Sequence, residues 1–255
     1  MSTAAKSFKA ALAALVLVTA GGAGAVAVPA AAWAQPAAKP QVTPELRATF
    51  RKGIVDAGGP FMQELIDQFP KEYYAFETEM LEGFLAGTLT PELARRKGFE
   101  FSRGLTPRLY DGWQMAPDAE VLALGRLQLK TAREFAKQDK QLCAEFLEGS
   151  SGPATAGRGG PNTMALLNES NLAMVKLAKS GRVTKIKRPA VSEADLVRVA
   201  TAFADGGGDP RWLIGVATGE FGGLDWAGRC DSALKWTETI LGQDPALAAR
   251  LLTTN

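Results

Sequence analysis

The sequence predicts an all-α protein: a single-domain bundle of about eight helices, with one disulfide joining two of them. Apolar residues recur at the three- and four-residue spacing of one helix face, and cap residues followed by proline mark where such runs begin. Alternating runs of β-branched residues, which would indicate strands, are absent from the sequence. With 255 residues, 46% of them hydrophobic, the chain is long enough to bury a sizeable core.

Residues 1–34 have the pattern of a secretory signal peptide. Lys6 and Lys9 supply positive charge, an apolar stretch follows, and residues 32–34 read Ala-Trp-Ala, the small-x-small pattern that signal peptidase accepts. Cleavage after Ala34 would make Gln35 the first residue of the mature protein. The rival interpretation is an uncleaved membrane anchor, but glycines and weakly hydrophobic alanines make up much of the stretch. We expect export to the periplasm or the extracellular space, with no transmembrane anchor after cleavage.

After the signal we expect a disordered spacer at 35–42 and a helical domain at 43–255. Removing residues 1–34 takes away two of the 29 basic side chains and none of the 27 acidic ones, which leaves equal numbers of each. A chain with no basic excess is not typical of nucleic-acid binding.

Cap residues and apolar spacing place the helices in order along this domain. Thr43-Pro44 and Thr90-Pro91 pair a capping hydroxyl with proline at the first helical position, and Ser192 with Asp195 forms a capping box. Further helix starts are predicted at 209–210 and 244–245. Apolar spacing predicts helical segments at 61–69, 73–84, 117–148 (the longest helix), 163–179 and 226–241, and composition predicts a Gly-rich loop at 149–160.

Cys143 and Cys230 are the only cysteines, and both lie on apolar faces of predicted helices. An exported chain meets an oxidising compartment, so we predict a disulfide between them. The alternative is two buried free thiols.

The chain contains no histidine. This absence removes catalytic triads that use imidazole as the general base and zinc sites built from histidine. Nucleotide-binding glycine motifs are also missing, so we expect no cofactor and no metal. Carboxylate chemistry is what remains, in which one protonated and one ionised acid cleave a glycosidic bond.

Glu169 is the first weak candidate for such a catalytic acid. It precedes Ser170 inside a predicted helix, and the pair resembles the Glu-Ser pair of lytic transglycosylases, helical envelope enzymes that use one catalytic glutamate. The resemblance covers two residues, and the Gly-Leu-Met-Gln stretch expected downstream is absent. The competing interpretation is a solvated glutamate on a helix surface.

Glu220 and Asp225 are the other candidate acids, in a Gly-rich segment near three aromatic residues. Trp212, Phe221 and Trp226 could form a stacking surface for a sugar or a peptide. The competing interpretation, which we favour, is a turn between helices in which Asp225 starts a helix and the aromatic side chains fill the core.

A basic run, Arg182, Lys185, Lys187 and Arg188, could contact an anionic partner, although a solvated connection between helices is the simpler interpretation. Together these features favour a non-enzymatic binding or interaction protein of the cell envelope, with another envelope protein as a candidate partner. The alternative is a carboxylate-dependent envelope glycosidase or lytic transglycosylase-like enzyme.

Overall fold

A computed structural model of the protein describes residues 41–149, 158 and 160–254. The described residues form helices and no strand, which confirms the predicted all-α fold. There are ten helices in these ranges, against about eight predicted: α1 Pro44–Gln68, α2 Pro70–Leu85, α3 Pro91–Gln114, α4 Asp118–Gln138, α5 Lys140–Glu148, α6 Pro161–Thr184, α7 Glu193–Asp205, α8 Pro210–Thr218, α9 Trp226–Leu241 and α10 Pro245–Thr253.

The predicted signal peptide at 1–34 lies outside the described residues. The same holds for 35–40 of the predicted spacer, and for 150–157 and 159 of the predicted loop. Within the described ranges, no helix combines the length and the apolar character needed to cross a membrane.

The prediction of one long helix from 117 to 148 was wrong, because Asp139 interrupts it. Its backbone is extended, and its carboxylate accepts hydrogen bonds from the amides of Gln141 at 2.8 Å and Leu142 at 3.3 Å. The side chain thus caps a new helix, α5. Elsewhere, most predicted helix boundaries differ from the observed ones by only a few residues. The predicted cap residues are confirmed, since the side chains of Ser192, Asp209, Asp225 and Asp244 each accept a hydrogen bond from a backbone amide at the start of a helix.

The described residues form two compact units, 41–101 and 102–254. In the first, α1 packs against α2. Helix α1 breaks at Gly59, whose φ of 62° and ψ of −154° are outside the helical region, and Pro60 begins the next helical turn. Aromatic and aliphatic side chains of the core of this unit include Phe50, Ile66, Tyr73, Phe76, Met80 and Phe101.

The second unit is built around α4 and α9. Helix α4 packs against α5, α6, α9 and α10, and α9 packs in turn against α5, α7 and α8. Helices α3 and α6 cross at two glycines, because a Cβ atom on Gly181 would lie 1.7 Å from the carbonyl oxygen of Gly112. Backbone therefore meets backbone at this crossing, and no larger residue fits.

The Cys143–Cys230 disulfide forms as predicted and joins α5 to α9, with the two Cα atoms 5.4 Å apart. Both cysteines are fully buried in an apolar cluster that includes Phe135, Phe146 and Leu167. The bond closes a loop with a sequence separation of 87 residues.

Removing this bridge is expected to destabilise the protein. Replacing both cysteines with alanine should lower the free energy of unfolding by about 3–4 kcal/mol, because the unfolded chain has more conformational entropy when no bridge closes the loop. Urea unfolding measures the change. Reductant should lower the urea concentration at the midpoint of unfolding for the wild type, and should not change it for the double variant. An equal midpoint for both proteins without reductant would contradict the expectation.

The glycine crossing gives a second prediction. Gly181→Ala should lower the free energy of unfolding by about 1–3 kcal/mol, because the added methyl group overlaps the backbone of α3. The matched control is Gly104→Ala, an exposed helical position in α3 with open space around its Cβ site. This control should be neutral or gain up to about 1 kcal/mol from higher helix propensity. Similar destabilisation of both variants in thermal unfolding would show that the crossing is not tightly packed.

Candidate functional site

The three candidate catalytic acids are all exposed. Glu169 lies on the surface of α6, and Glu220 follows α8, where its backbone amide donates to Thr218 Oγ1 at 3.1 Å. Asp225 accepts a hydrogen bond from the amide of Gly228 at 2.8 Å and thereby caps α9. Asp225 therefore has the helix-starting role that the simpler interpretation gave it.

The glycines around Glu220 form the turn from α8 to α9. Gly219 ends α8 with a φ of 86°, and Gly222 and Gly223 also have positive φ. These are backbone conformations that side chains with a Cβ rarely adopt, so the turn itself accounts for the glycine content of the segment.

The predicted aromatic surface is divided between core and exterior. Trp212 is only 4% exposed and packs with Phe203 and Trp236, so its side chain lies in the core. Trp226 is 39% exposed and Phe221 is partly buried. These last two rings both contact the guanidinium of one arginine.

The residue between those rings is Arg229, whose guanidinium carbon lies 3.8 Å from the ring centroid of Phe221 and 4.0 Å from that of Trp226. Cation–π contacts of this kind fix a guanidinium in place. Its nitrogens donate to both carboxylate oxygens of Glu148, with Nε 3.1 Å from Oε1.

Glu148 is the buried centre of this cluster. Its side chain is 4% exposed, and Oε1 also accepts the indole N–H of Trp212 at 3.0 Å. A buried carboxylate needs such partners, because an unpaired charge would be strongly unfavourable away from water. The hydrogen bonds from Arg229 and Trp212 supply such partners and join the end of α5 to α8 and α9, which indicates a structural role for this carboxylate.

The basic run also separates into different roles. Arg188 has a side chain that is 9% exposed, and it bonds the carboxylate of Asp118 at 2.6 Å and the carbonyl oxygen of Gln114 at 2.6 Å. It therefore ties the end of α3 to the start of α4 within the protein. Lys185 and Lys187 are exposed, and burial lowers the pKa of Arg182.

A second concentration of charge lies in the first unit, on a surface cleft of about 560 Å³ along α1. Arg47 and Arg51 line it, and both donate to Glu77 of α2, at 3.0 Å and 3.5 Å. Glu77 is fully buried. The pKa of Tyr73 is raised to about 12, chiefly by burial and also by the charge of Glu77.

Sequence reasoning did not single out Glu77, Glu148, Arg47, Arg51 or Arg229. A signal was present for Glu77, which falls among Tyr73, Phe76 and Met80 on the apolar face of α2 and therefore requires a cationic partner. The sequence held no comparable signal for Glu148 and Arg229, since they are 81 residues apart. Among the described residues, no group of three or more acidic or cysteine side chains could hold a metal ion.

The fold and these clusters define an all-helical, disulfide-bridged protein whose two buried glutamates, among those described, are each held by arginine. The chain matches no known protein family, and neither curated proteins nor solved structures show a significant similarity to it. Its function is therefore inferred from its own residues.

The structural role of Glu148 can be tested by removing its charge. Glu148→Gln should lower the free energy of unfolding by about 3 kcal/mol, because Arg229 would be left with an uncompensated charge in a largely buried position. Glu220→Gln, the same change at an exposed site, should stay within about 0.5 kcal/mol of the wild type. Chemical denaturation measures both. If Glu148→Gln unfolds like the wild type, the ion pair is not stabilising this unit.

Proposed function

We propose that the chain is an exported, non-enzymatic binding protein of the cell envelope. The observation that carries the proposal is the surface cleft of about 560 Å³ on α1, which cationic and apolar side chains of one helix face line. This volume falls in the range of small-ligand sites, roughly 300–1,000 Å³. Binding through such a cleft needs no catalytic group.

The placement of the acids supports a role without catalysis. A carboxylate-dependent glycosidase needs two carboxyl groups facing one bond, one of them kept protonated by its surroundings. Glu169 and Glu220 are instead exposed, and Asp225 is engaged as a helix cap. Glu148, which is buried, is engaged by hydrogen bonds from Arg229 and Trp212.

Export is supported by two independent features. The first is the signal-peptide pattern of residues 1–34. The second is the buried disulfide, since structural disulfides are typical of proteins that fold outside the reducing cytosol.

A turnover assay separates this proposal from the glycosidase alternative. The mature protein, from Gln35 onward, is incubated with purified peptidoglycan and with chitooligosaccharides, and products are measured by mass spectrometry. We expect no glycan release above the protein-free control, because the candidate acids Glu169, Glu220 and Asp225 are all exposed in the part of the chain that the structure describes.

The control is the triple variant Glu169→Gln, Glu220→Gln, Asp225→Asn, which should behave like the wild type. Release by the wild type that the triple variant lacks would overturn the proposal in favour of the carboxylate enzyme. Equal release by both proteins would also overturn it and would assign the chemistry to other residues.

A further inference from the structure

The cleft in the first unit presents a pair of arginines that are fixed in position before any ligand arrives. Glu77, fully buried on α2, accepts one N–H from Arg47 and one from Arg51. The guanidinium carbon of Arg47 lies 4.2 Å from the ring centroid of Tyr74, and that of Arg51 lies 5.3 Å from that of Tyr73. Each guanidinium carries five N–H donors, so donors remain on both after Glu77 is bound.

Both arginines also line the cleft, with side chains that are 20% and 47% exposed for Arg47 and Arg51. Their planar, forked donors match the two oxygens of a carboxylate. Because Glu77 and the tyrosine rings already hold them, a ligand would lose little side-chain entropy in binding there.

The charge of the cleft selects the kind of anion. Arg47, Arg51 and Lys52 supply three positive charges, while Glu77 and Asp56 supply two negative ones, with Lys52 paired to Asp56. One net positive charge remains. This charge matches a monoanion, such as a carboxylate, better than a phosphate dianion.

The rest of the lining is apolar. Pro44, Ala48 and Val55 occupy the same face of α1 as the arginines, at helical spacing along the cleft. An apolar group attached to the anion would therefore be removed from water alongside these side chains.

We propose that this cleft binds a monocarboxylate with an apolar body, its carboxylate held by Arg47 and Arg51 and its apolar part against Pro44, Ala48 and Val55. This ligand class deepens the proposed function and rests on it. A fatty acid and the C-terminus of an apolar peptide share this chemistry, and the experiment distinguishes them.

The test is calorimetric titration of the mature protein with octanoate, and with octanol and inorganic phosphate as controls. Two further arms use a short apolar peptide with a free C-terminal carboxylate and the same peptide amidated. We expect saturable binding of octanoate, of the free peptide, or of both, and none of octanol or of the amidated peptide. Whichever carboxylate binds identifies the source.

The arginine pair is tested with Arg51→Gln, because Arg51 makes the longer of the two contacts with Glu77 and the change is the less disruptive one. Affinity should fall about tenfold or more, since a charge-assisted contact is lost. Arg51→Lys keeps the charge without the fork and should recover only part of the affinity. Arg95→Gln, an exposed arginine of the same unit that does not line the cleft, should bind like the wild type.

Thermal unfolding of each variant confirms that it is folded. No saturable binding of either carboxylate would overturn the proposal, as would equal binding of octanol, tighter binding of inorganic phosphate, or unchanged affinity in a folded Arg51→Gln variant. These failures are separate from failure of the proposed function. If the protein binds no carboxylate and releases no glycan, the ligand class is refuted and the proposed function stands, whereas glycan release refutes that function whatever the cleft binds.

Discussion

The second unit depends on the packing of α5 against α9, which three interactions reinforce at one place. The Cys143–Cys230 bond joins the two helices, and buried apolar side chains surround it. Arg229, next to Cys230, then meets Glu148 at the end of α5, and Trp212 donates to the same carboxylate. A covalent bond, an apolar cluster and a buried ion pair thus restrain the same helix pair, so α8, which carries Trp212, is positioned by it as well.

Each of the two units contains a buried glutamate held by arginine and aromatic side chains, but the two arrangements differ in what they leave accessible. Glu148 is bonded by Arg229 and Trp212, and aromatic rings lie on both sides of that arginine. Glu77 instead holds two arginines that also line an open cleft. The same physical requirement, that a buried carboxylate be paired, gives a structural cluster in one unit and a candidate binding site in the other.

Features that depend on neighbours along the chain could be predicted well. Ser192, Asp209, Asp225 and Asp244 cap helices as expected, because a cap bonds an amide two or three residues away. The candidate site could not be found in the same way. Glu220 attracted attention through its glycine neighbours, which make a turn, whereas the buried Glu77 has partners 26 and 30 residues earlier.

The sequence by itself determined the helical class, most helix starts and the disulfide, since spacing and capping act over three or four residues and only two cysteines exist. The tertiary structure decided which charges are buried and what each one holds. Arg188 and Asp118 meet across 70 residues, and Trp212 and Glu148 across 64. Burial and ion pairing depend on which helix faces come together in space, and that arrangement forms only when the chain has folded.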